Sequence, residues 1–443
     1  MRKMTKLSYP ECLKTIYKLG RFGIKLELDT IQDILQDLGN PCQGFKTVHI
    51  AGTNGKGSTA VYIAAILQQA GFKTGLYTSP HLVKFNERIT INGTQISDDQ
   101  VVDAYEAVHS ADKGKRRATY FEIATAMGFY HFAKAAVDWA VVETGMGGRF
   151  DATNVIHPEI CVITNLSIEH TEYLGKTIKA LAWEKGGIIK PGVPVVTAVS
   201  QPSGRKVLEA VAAEKSAPLM FYKTDFSMRK AAGAKTYAYK GLHHHFDGLV
   251  KPLPGEHQKE NLSLALSACE LIFKKHKGTD PRYDFTEPLV REGLSKARWP
   301  GRLEQVMDHP LVILDGAHNL HAVKVLAKYL SSFLKGRQLT LVLGILSDKP
   351  YEKMLEHLVP LAGRVIITKA RIDRSLDPST LKQAAQRLTQ HPVTVIEDVK
   401  GAVTHAVQTS NSADVVCIAG SLYVVGEAKE KFNNNLDQSV KFH

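Results

Sequence analysis

The stretch KTVHIAGTNGKGSTAVYIAAIL, residues 46–67, has the order of a buried strand, a glycine-rich loop and a helix. Gly52, Gly55 and Gly57 let the backbone approach a ligand closely and adopt conformations that other residues avoid. The first turn of the helix directs free N–H groups toward the loop, and Lys56 adds a positive charge. The pattern therefore predicts a phosphate-binding loop rather than a simple glycine-rich turn.

This loop departs twice from the common P-loop, in which GxxxxGK is followed at once by Ser or Thr. Lys56 is followed by Gly57, so the hydroxyls of Ser58 and Thr59 come one and two positions late. Ile50 stands where the first glycine of the common loop belongs. Because the early hydroxyl is the one that binds the magnesium ion of the nucleotide, we expect the metal ligands of this chain to come from outside the loop.

Strand patterns alternate with helical patterns along most of the chain, which predicts an α/β fold with mostly parallel sheets. We expect residues 1–298 to form a P-loop ATPase-like domain, with small antiparallel hairpins near residues 226–250. Residues 299–443 are expected to form a smaller, Rossmann-like α/β domain. Pro300 and Gly301 mark the boundary, after which a new β/α series begins at LVILDGAHN. The expected strands of the first domain lie at residues 47–51, 74–78, 139–143, 160–164 and 193–198.

Composition and charge exclude several classes of protein. The 443-residue chain has no apolar run approaching the length of a membrane span and no signal-peptide pattern, so we expect a cytoplasmic protein without a membrane partner. Its five cysteines lack CxxC spacing, which favours free thiols over a disulfide framework or a zinc site. The net charge of +12 permits a nucleic acid or a polyanionic small molecule as ligand.

The densest basic cluster is KGKRR, residues 113–117. It lacks the interleaved aromatic residues of a single-strand binder. A solvated loop is therefore the favoured interpretation, a site for a phosphate or substrate anion comes second, and nucleic-acid binding comes last. We expect a monomer with small-molecule partners and no nucleic acid.

Two polar residues at strand ends are candidates for the displaced magnesium site. Glu143 closes the apolar strand WAVVE, where an ionised side chain is costly unless it meets a cation. Ser79 follows the strand TGLYT at the edge where ligands of open α/β sheets collect, although Ser before Pro is also ordinary turn chemistry. Arg149 and Asp151 follow Glu143 closely, and a surface ion pair is the alternative interpretation of these two.

The next segments carry two further candidates. Glu169 and His170 follow the strand ICVIT; since magnesium prefers oxygen, His170 indicates either a hydrogen-bonding core histidine or a site that also accepts manganese. Lys185 lies at the largely apolar end of a helix. A buried lysine can have a depressed pKa and become nucleophilic enough to add carbon dioxide.

Together these segments resemble a known family, the folylpolyglutamate synthases and the bacterial bifunctional dihydrofolate synthase/folylpolyglutamate synthases, which are relatives of the muramyl-peptide (Mur) ligases. The resemblance covers essentially the whole chain. It rests on motifs that occur in the family's order: GTNGKGS, TSPHL, ERI, TYFE, ETGMGGRFDATN, EKGGIIKPG, WPGRLE and DGAHN. The chain has Glu169 where the family often has Asp, and Leu320 where Pro commonly follows DGAHN.

The resemblance implies an ATP site with its metals. The implied ATP contacts are Asn54, Gly55, Lys56 and Gly57 in the loop, and Asn261, Arg302 and Asp315 later in the chain. One magnesium ion is implied at Ser79 and Glu143, and a second metal at His170. The resemblance also implies that Lys185 is carbamylated, which turns a cation into an anionic oxygen ligand.

Substrate contacts are implied as well. The positions that match the pterin side are Thr119, Phe121, Asp151 and Ala152, and those that match the incoming glutamate are Arg88, His318 and Ser421. Arg149 joins the candidate substrate residues because it lies beside Asp151 at the same sheet edge. Lys56, Lys185 and His318 form the candidate catalytic set.

The implied reaction is the ATP-dependent addition of L-glutamate to folates, and also to dihydropteroate, through an acyl phosphate. Folylpolyglutamate synthase activity alone is one alternative, and a muramyl-peptide ligase acting on a UDP-sugar is another. The TYFE and DATN segments argue against the UDP-sugar. A GTPase switch is disfavoured because the chain contains no NKxD for guanine.

Overall fold

The computed structural model describes residues 7–22, 27–114, 116–231 and 235–439. Its contacts divide the chain into two compact units. The first consists of residues 1–81, 85–252 and 258–297, and the second of residues 82–84, 253–257 and 298–443. The sequence prediction placed the two short segments, 82–84 and 253–257, in the first domain, and the domain limits stay a prediction.

An eight-stranded sheet forms the frame of the first unit. Its strands are β1 (Lys46–Ala51), β2 (Thr74–Tyr77), β3 (Ile89–Ile91), β4 (Thr94–Gln95), β5 (Trp139–Glu143), β6 (Ile160–Ile163), β7 (Val195–Thr197) and β8 (Leu219–Phe221). The order is β4-β3-β2-β5-β1-β6-β7-β8, and only β3 and β4 run antiparallel to their neighbours. β1 therefore lies between β5 and β6, and the carboxyl ends of these parallel strands meet at one edge.

Ten α-helices are described in the first unit. They are α1 (Tyr9–Lys18), α2 (Asp29–Asp37), α3 (Lys56–Gln69), α4 (Asp98–Ala111), α5 (Tyr120–Lys134), α6 (Thr171–Leu174), α7 (Ile178–Gly186), α8 (Pro202–Glu214), α9 (Gln258–His276) and α10 (Glu287–Lys296). Every residue of α3 from Gly57 to Leu67 is buried, because the helix packs between the sheet and helices α9 and α10. A helix covered on all sides holds the preceding loop in a fixed position.

The predicted antiparallel hairpins form a small three-stranded sheet of β9 (Ser227–Lys230), β10 (Tyr237–Lys240) and β11 (His245–Leu249). Its contact with α9 centres on the carboxylate of Glu270, which is almost fully buried. That carboxylate accepts hydrogen bonds from the backbone N–H groups of Leu242 and His244, both at 2.8 Å, and from the Tyr239 hydroxyl at 3.1 Å. The ring Nδ1 of His244 lies 3.0 Å from the same group.

The second unit contains a six-stranded sheet with the order β12-β13-β17-β14-β15-β16. Only β12 is antiparallel to its neighbour. The strands are β12 (Glu304–Asp308), β13 (Leu311–Leu314), β14 (Leu339–Leu343), β15 (Arg364–Ile367), β16 (Val393–Val395) and β17 (Val415–Ala419). The helices are α11 (Leu320–Leu334), α12 (Tyr351–Leu358), α13 (Pro378–Gln386), α14 (Val399–Gln408) and α15 (Leu422–Ser439).

The predicted fold class is confirmed: each unit is an α/β structure with a mostly parallel sheet, and the first also carries small antiparallel hairpins. Among the described residues, every helix is too short or too polar to span a bilayer.

The Glu270 carboxylate gives a test of how the small sheet is held. We expect Glu270→Gln to lower the free energy of unfolding by about 2–3 kcal/mol, because one acceptor oxygen becomes an N–H donor that faces other buried donors. Urea denaturation measures this change. The matched control is Glu209→Gln at an exposed position of α8, for which we expect a change within about 0.5 kcal/mol. Equal effects of the two substitutions would show that Glu270 does not anchor the sheet.

Candidate active site

The predicted loop lies between β1 and α3. At two of its glycines there is no room for a side chain. Gly52 has φ +145°, and a Cβ there would lie 1.8 Å from the Thr164 hydroxyl oxygen. Gly55 has φ +88°, and a Cβ there would lie 2.3 Å from Oδ1 of Asn261. Both the backbone conformation and the close neighbours exclude larger residues. The predicted ATP contact Asn261 therefore touches the loop.

The segment after β6 holds the loop from the other side. The Asn54 carbonyl accepts hydrogen bonds from the Thr164 hydroxyl (2.7 Å) and from Nδ2 of Asn165 (2.9 Å). Oδ1 of Asn165 accepts from the Asn54 backbone N–H at 3.1 Å. Sequence analysis missed both residues. The available signal was a pair of polar residues directly after an apolar strand that neighbours β1.

Two lysines meet at one carbonyl oxygen in this loop. Lys56 Nζ donates to the Gly52 carbonyl at 3.0 Å and to the Thr53 carbonyl at 3.2 Å. Lys185 Nζ donates to the same Gly52 carbonyl at 2.9 Å. Burial, followed by the neighbouring Lys56 charge, lowers the pKa of Lys185 to about 7, although carboxylates including that of Glu169 oppose the shift. The Lys185 amine is thus substantially neutral near pH 7.

Glu143 and Ser79 also lie together, as predicted from the strand ends. The Glu143 carboxylate is buried at the end of β5 and accepts a hydrogen bond from the Ser79 backbone N–H at 3.3 Å. Its other oxygen lies 3.9 Å from Lys56 Nζ. The hydroxyl of Ser58, the late residue of the loop, accepts instead from Nε2 of Gln258 at 3.2 Å. The side chains beside the loop that can supply oxygen ligands to a metal ion are therefore those of Glu143 and Ser79.

This donor set suits magnesium, which prefers carboxylate and hydroxyl oxygen, but it is small. Within the described part of the chain, no three His, Cys, Asp or Glu side chains are grouped so that they could hold a metal ion. His170 is exposed and is the N-cap of α6, with φ 49°, and among the described residues it does not form such a group with Glu143. The second metal at His170 stays a prediction.

The first turn of α9 supplies residues that sequence analysis only partly identified. Nδ2 of Asn261 donates to Oε1 of Gln258 at 3.0 Å, and Gln258 in turn donates to Ser58 at the start of α3. Glu260 hydrogen-bonds the side chain of Asn165, and burial raises the pKa of Glu260 to about 7. Gln258 and Glu260 were missed, since amides and acids at a helix start usually serve only as caps.

On the predicted pterin side, Thr119 caps α5. Its hydroxyl accepts from the Glu122 N–H at 3.3 Å, and the Glu122 carboxylate accepts from the Thr119 N–H at 2.7 Å. Arg116 of the basic cluster donates to both Glu122 oxygens, at 2.9 and 2.7 Å. Lys113 pairs with Asp37 at 3.1 Å. These pairs favour a structural loop at KGKRR; Lys115 of that cluster lies outside the described residues.

The loop after Glu143 is folded around the Asp151 carboxylate. Oδ1 accepts from the Thr153 N–H (3.1 Å) and hydroxyl (2.5 Å), and Oδ2 accepts from the Met146 N–H (2.8 Å). Ala152 is buried beside it. The ring of Phe121 packs against the same loop, since a Cβ on Gly145 would lie 2.4 Å from it.

Arg149 does not pair with Asp151, so the ion-pair interpretation is wrong. Its guanidinium stacks over the Trp183 ring at 4.0 Å and donates to the Trp183 carbonyl at 3.1 Å. Arg88, predicted to contact glutamate, is buried in the first unit and donates through Nε to Nδ1 of His81 at 2.8 Å. Among the described residues, no carboxylate lies within ion-pair distance of Arg88.

The remaining predicted residues belong to the second unit. The buried Asp315 carboxylate accepts from the Leu303 N–H at 2.9 Å and the Ala317 N–H at 3.0 Å, and burial raises its pKa. Arg302 donates to the Gly301 carbonyl at 3.2 Å. His318 Nδ1 lies 2.8 Å from the Gly316 carbonyl, which fixes that nitrogen as the donor.

Two details complete this unit. The buried hydroxyl of Ser421 accepts from the Val424 N–H at 3.1 Å at the start of α15. Leu320, which stands where the family commonly has Pro, is the first residue of α11. The Asn319 side chain caps that helix by accepting from the Ala322 N–H at 2.9 Å. The turn after His318 is thus held by the cap and does not need Pro, which is only favoured at that position.

Comparison with known proteins identifies the domain types. Residues 50–269 match the Mur ligase middle domain, and residues 301–422 match the Mur ligase glutamate ligase domain. The dihydrofolate synthase/folylpolyglutamate synthase of Bacillus subtilis is 34% identical to the chain, and the match covers 96% of the chain and 99% of that protein.

Solved structures agree with this match. Folylpolyglutamate synthase of Mycobacterium tuberculosis complexed with ADP has a TM-score of 0.87 at 33% identity, covering 95% of this chain and 98% of that one. Escherichia coli FolC in complex with DHPP and ADP has a TM-score of 0.85 at 26% identity, covering 97% of this chain and all of that one (100%).

The chain therefore belongs to the folylpolyglutamate synthase and dihydrofolate synthase family of Mur ligases. The predicted family is confirmed, and so is the predicted enzyme class, an ATP-dependent ligase.

The close approach at Gly52 gives a test of the loop. We expect Gly52→Ala to abolish ADP binding and to lower the free energy of unfolding by about 3 kcal/mol or more, because strain at positive φ adds to a clash with Thr164. Calorimetric titration with ADP and urea denaturation measure the two effects. The control is Gly39→Ala, which has φ +78° but no atom within 4 Å of the new Cβ, and for which we expect a loss of about 1 kcal/mol and normal ADP binding. Normal ADP binding by Gly52→Ala would contradict the close-approach argument.

Proposed function

We propose that the chain adds L-glutamate to reduced folates, and also to dihydropteroate, with ATP as the source of energy. One observation carries the proposal most directly. Lys56 is held inside a glycine-rich loop, 3.9 Å from the buried carboxylate of Glu143. A fixed cation next to a carboxylate at the carboxyl edge of a parallel sheet is an arrangement suited to nucleotide phosphates.

The loop and its neighbours would bind the nucleotide and stabilise the charge that moves in the reaction. The N–H groups at the start of α3 would bind the phosphates, and Lys56 would neutralise charge on the transferring group. Asn261 and Gln258 fix the outer side of the loop through the contacts described above. A magnesium ion at Glu143 and Ser79 would supply further charge neutralisation, and these oxygen donors fit it.

The chemistry follows from the need to activate a carboxylate. A substrate carboxylate oxygen attacks the γ-phosphorus, the bond to the bridging β–γ oxygen breaks, and ADP leaves an acyl phosphate behind. The amine of L-glutamate then attacks the acyl carbon, loses a proton, and expels inorganic phosphate. Nearby cations stabilise the oxyanion of the tetrahedral intermediate. In this assignment Arg88, His318 and Ser421 bind L-glutamate, and Arg302 and Asp315 bind ATP.

The pterin side would use the loop after Glu143 and the start of α5. Phe121 packs on Gly145, and Asp151 is held by several backbone donors, so both have defined positions. The use of dihydropteroate as well as folates is supported by relatives that carry both names, including the Bacillus subtilis protein. The expected cytoplasmic location and monomeric state stay predictions from the sequence.

We also propose that Lys185 is carbamylated in the active enzyme. The side chain is buried, and its amine is partly neutral near pH 7. The nitrogen lone pair can attack carbon dioxide, forming an N–C bond and releasing one proton, which leaves an anionic carbamate. Glu143 supplies one anionic group to the donor set of Glu143 and Ser79, and a carbamate at Lys185 would add another.

An ADP-release assay tests the proposed reaction. We expect release that requires L-glutamate together with dihydropteroate, tetrahydrofolate or methylenetetrahydrofolate, and a loss of turnover in Lys56→Ala because its charge acts where phosphate moves. The control is Lys73→Ala, whose ammonium bonds the Ala135 carbonyl away from the loop. Release with the folates only would restrict the chain to folylpolyglutamate synthesis. Release only with UDP-muramoyl peptide, or substantial activity of Lys56→Ala, would overturn the assignment.

The carbamate is tested by chemical rescue. We expect Lys185→Ala to be nearly inactive and to regain part of its turnover in acetate or formate, because a small carboxylate can occupy the space of the carbamate. Lys190→Ala is the matched control, since Lys190 also bonds a carbonyl, that of Asn154 at 2.9 Å, and is partly buried. No response to acetate is expected there. Full activity of Lys185→Ala without rescue would show that the carbamate is not needed.

A further inference from the structure

Arg88 is a buried cation with an unusual set of neighbours. Arg88 is the last residue of the short 3₁₀ turn Phe85–Arg88, just before β3, and it is only 5% exposed. Within the described part of the chain, neither an Asp nor a Glu side chain lies at ion-pair distance from it. Burying an unpaired guanidinium is costly, and such an arrangement is kept where an anionic ligand completes the pair.

The neighbours of Arg88 hold it without neutralising it. Nε donates to Nδ1 of His81 at 2.8 Å, and the guanidinium carbon lies 5.3 Å from the centre of the Tyr120 ring. The Tyr120 ring in turn stacks on Tyr17 with 5.9 Å between centroids. One donor of the guanidinium is therefore used by His81, one face lies on an aromatic ring, and the two terminal amino groups have no hydrogen-bond partner among the described residues.

The hydrogen bond determines the state of His81. An arginine Nε always carries a proton, so Nδ1 of His81 has to accept with its lone pair, and the ring proton resides on Nε2. The imidazole is thus a neutral acceptor, and it does not compete with the guanidinium for an anion.

We propose that His81 is a positioning residue that fixes Arg88 through Nε, so that its two terminal amino groups receive a carboxylate of the incoming L-glutamate in a bidentate pair. This inference rests on the proposed function, which assigns glutamate to Arg88. Bidentate recognition requires the guanidinium plane to be fixed, because both N–H···O bonds form only in one orientation. A single acceptor at Nε leaves the far edge of the fork available.

The test compares two substitutions of nearly equal shape. His81→Asn keeps an acceptor oxygen at the place of Nδ1, whereas His81→Leu has the same size without an acceptor. We expect His81→Leu to raise the KM for L-glutamate about tenfold or more, with the KM for ATP and for tetrahydrofolate unchanged, because only the orientation of Arg88 is lost. His81→Asn is expected to stay within about threefold of the unsubstituted enzyme.

A double substitution shows whether His81 acts through Arg88. Arg88→Lys keeps the charge but removes both Nε and the fork, so adding His81→Leu to it should raise the KM for L-glutamate no further. Additive effects of the two substitutions would overturn the inference, as would equal KM values for His81→Leu and His81→Asn. Thermal unfolding of both His81 variants checks folding, and because they are matched in shape, a purely structural role would affect the two alike.

Failure of the proposed function gives a different result. If the chain does not use L-glutamate, the unsubstituted protein releases no ADP in response to it, and the proposed function is overturned together with the positioning role that rests on it. If the unsubstituted protein is active and His81→Leu retains the normal KM for L-glutamate, only the positioning role is wrong.

Discussion

The carbonyl oxygen of Gly52 is the point on which the candidate site depends. It accepts hydrogen bonds from both Lys56 and Lys185, so it brings the amino groups of two lysines into one buried space. Gly52 can present its carbonyl in this way because it has φ +145° and no side chain to meet Thr164. Two cations at one oxygen repel each other, which contributes to the lowered pKa of Lys185. Such a pair favours anionic ligands and makes one amine available for chemistry.

Local sequence predicted those parts of the site that depend on neighbouring residues. The loop at Gly52 and Gly55 could be predicted because the strand, the glycines and the helix follow one another within a few residues. Ser79 and Glu143 could be placed together because they end β2 and β5, and these parallel strands are adjacent in the sheet. The strand patterns likewise predicted the α/β class of both units, since buried parallel strands are apolar along their whole length.

Contacts between distant segments could not be predicted in this way. Asn165 reaches Asn54 across more than a hundred residues, and Gln258 reaches Ser58 across 200. A polar residue gives no signal of which loop it will bond until the order of the strands is known. Arg88 was found only through the family resemblance, since one arginine after a short turn has no distinctive pattern. Two buried charged side chains differ in their partners. Glu270 accepts hydrogen bonds from several donors of the small sheet, whereas among the described residues Arg88 has a hydrogen-bond acceptor but no counter-charge. The partners of a buried charge, rather than its burial, therefore distinguish a structural role from a functional one.

Of the four outermost strands of the two large sheets, three are short and one is irregular, and this affects association between molecules. The large sheet ends in the two-residue β4 and the three-residue β8, and the sheet of the second unit ends in β12, whose register shifts between Gln305 and Met307, and in the three-residue β16. A free edge is a row of unpaired N–H and C=O groups that can recruit a strand from another chain. Strands of two or three residues offer too few such groups for a stable ladder. In an irregular strand the spacing of these groups does not match that of a regular partner strand. The central strands of the two large sheets can therefore be apolar along their whole length without these sheets becoming templates for intermolecular β-pairing.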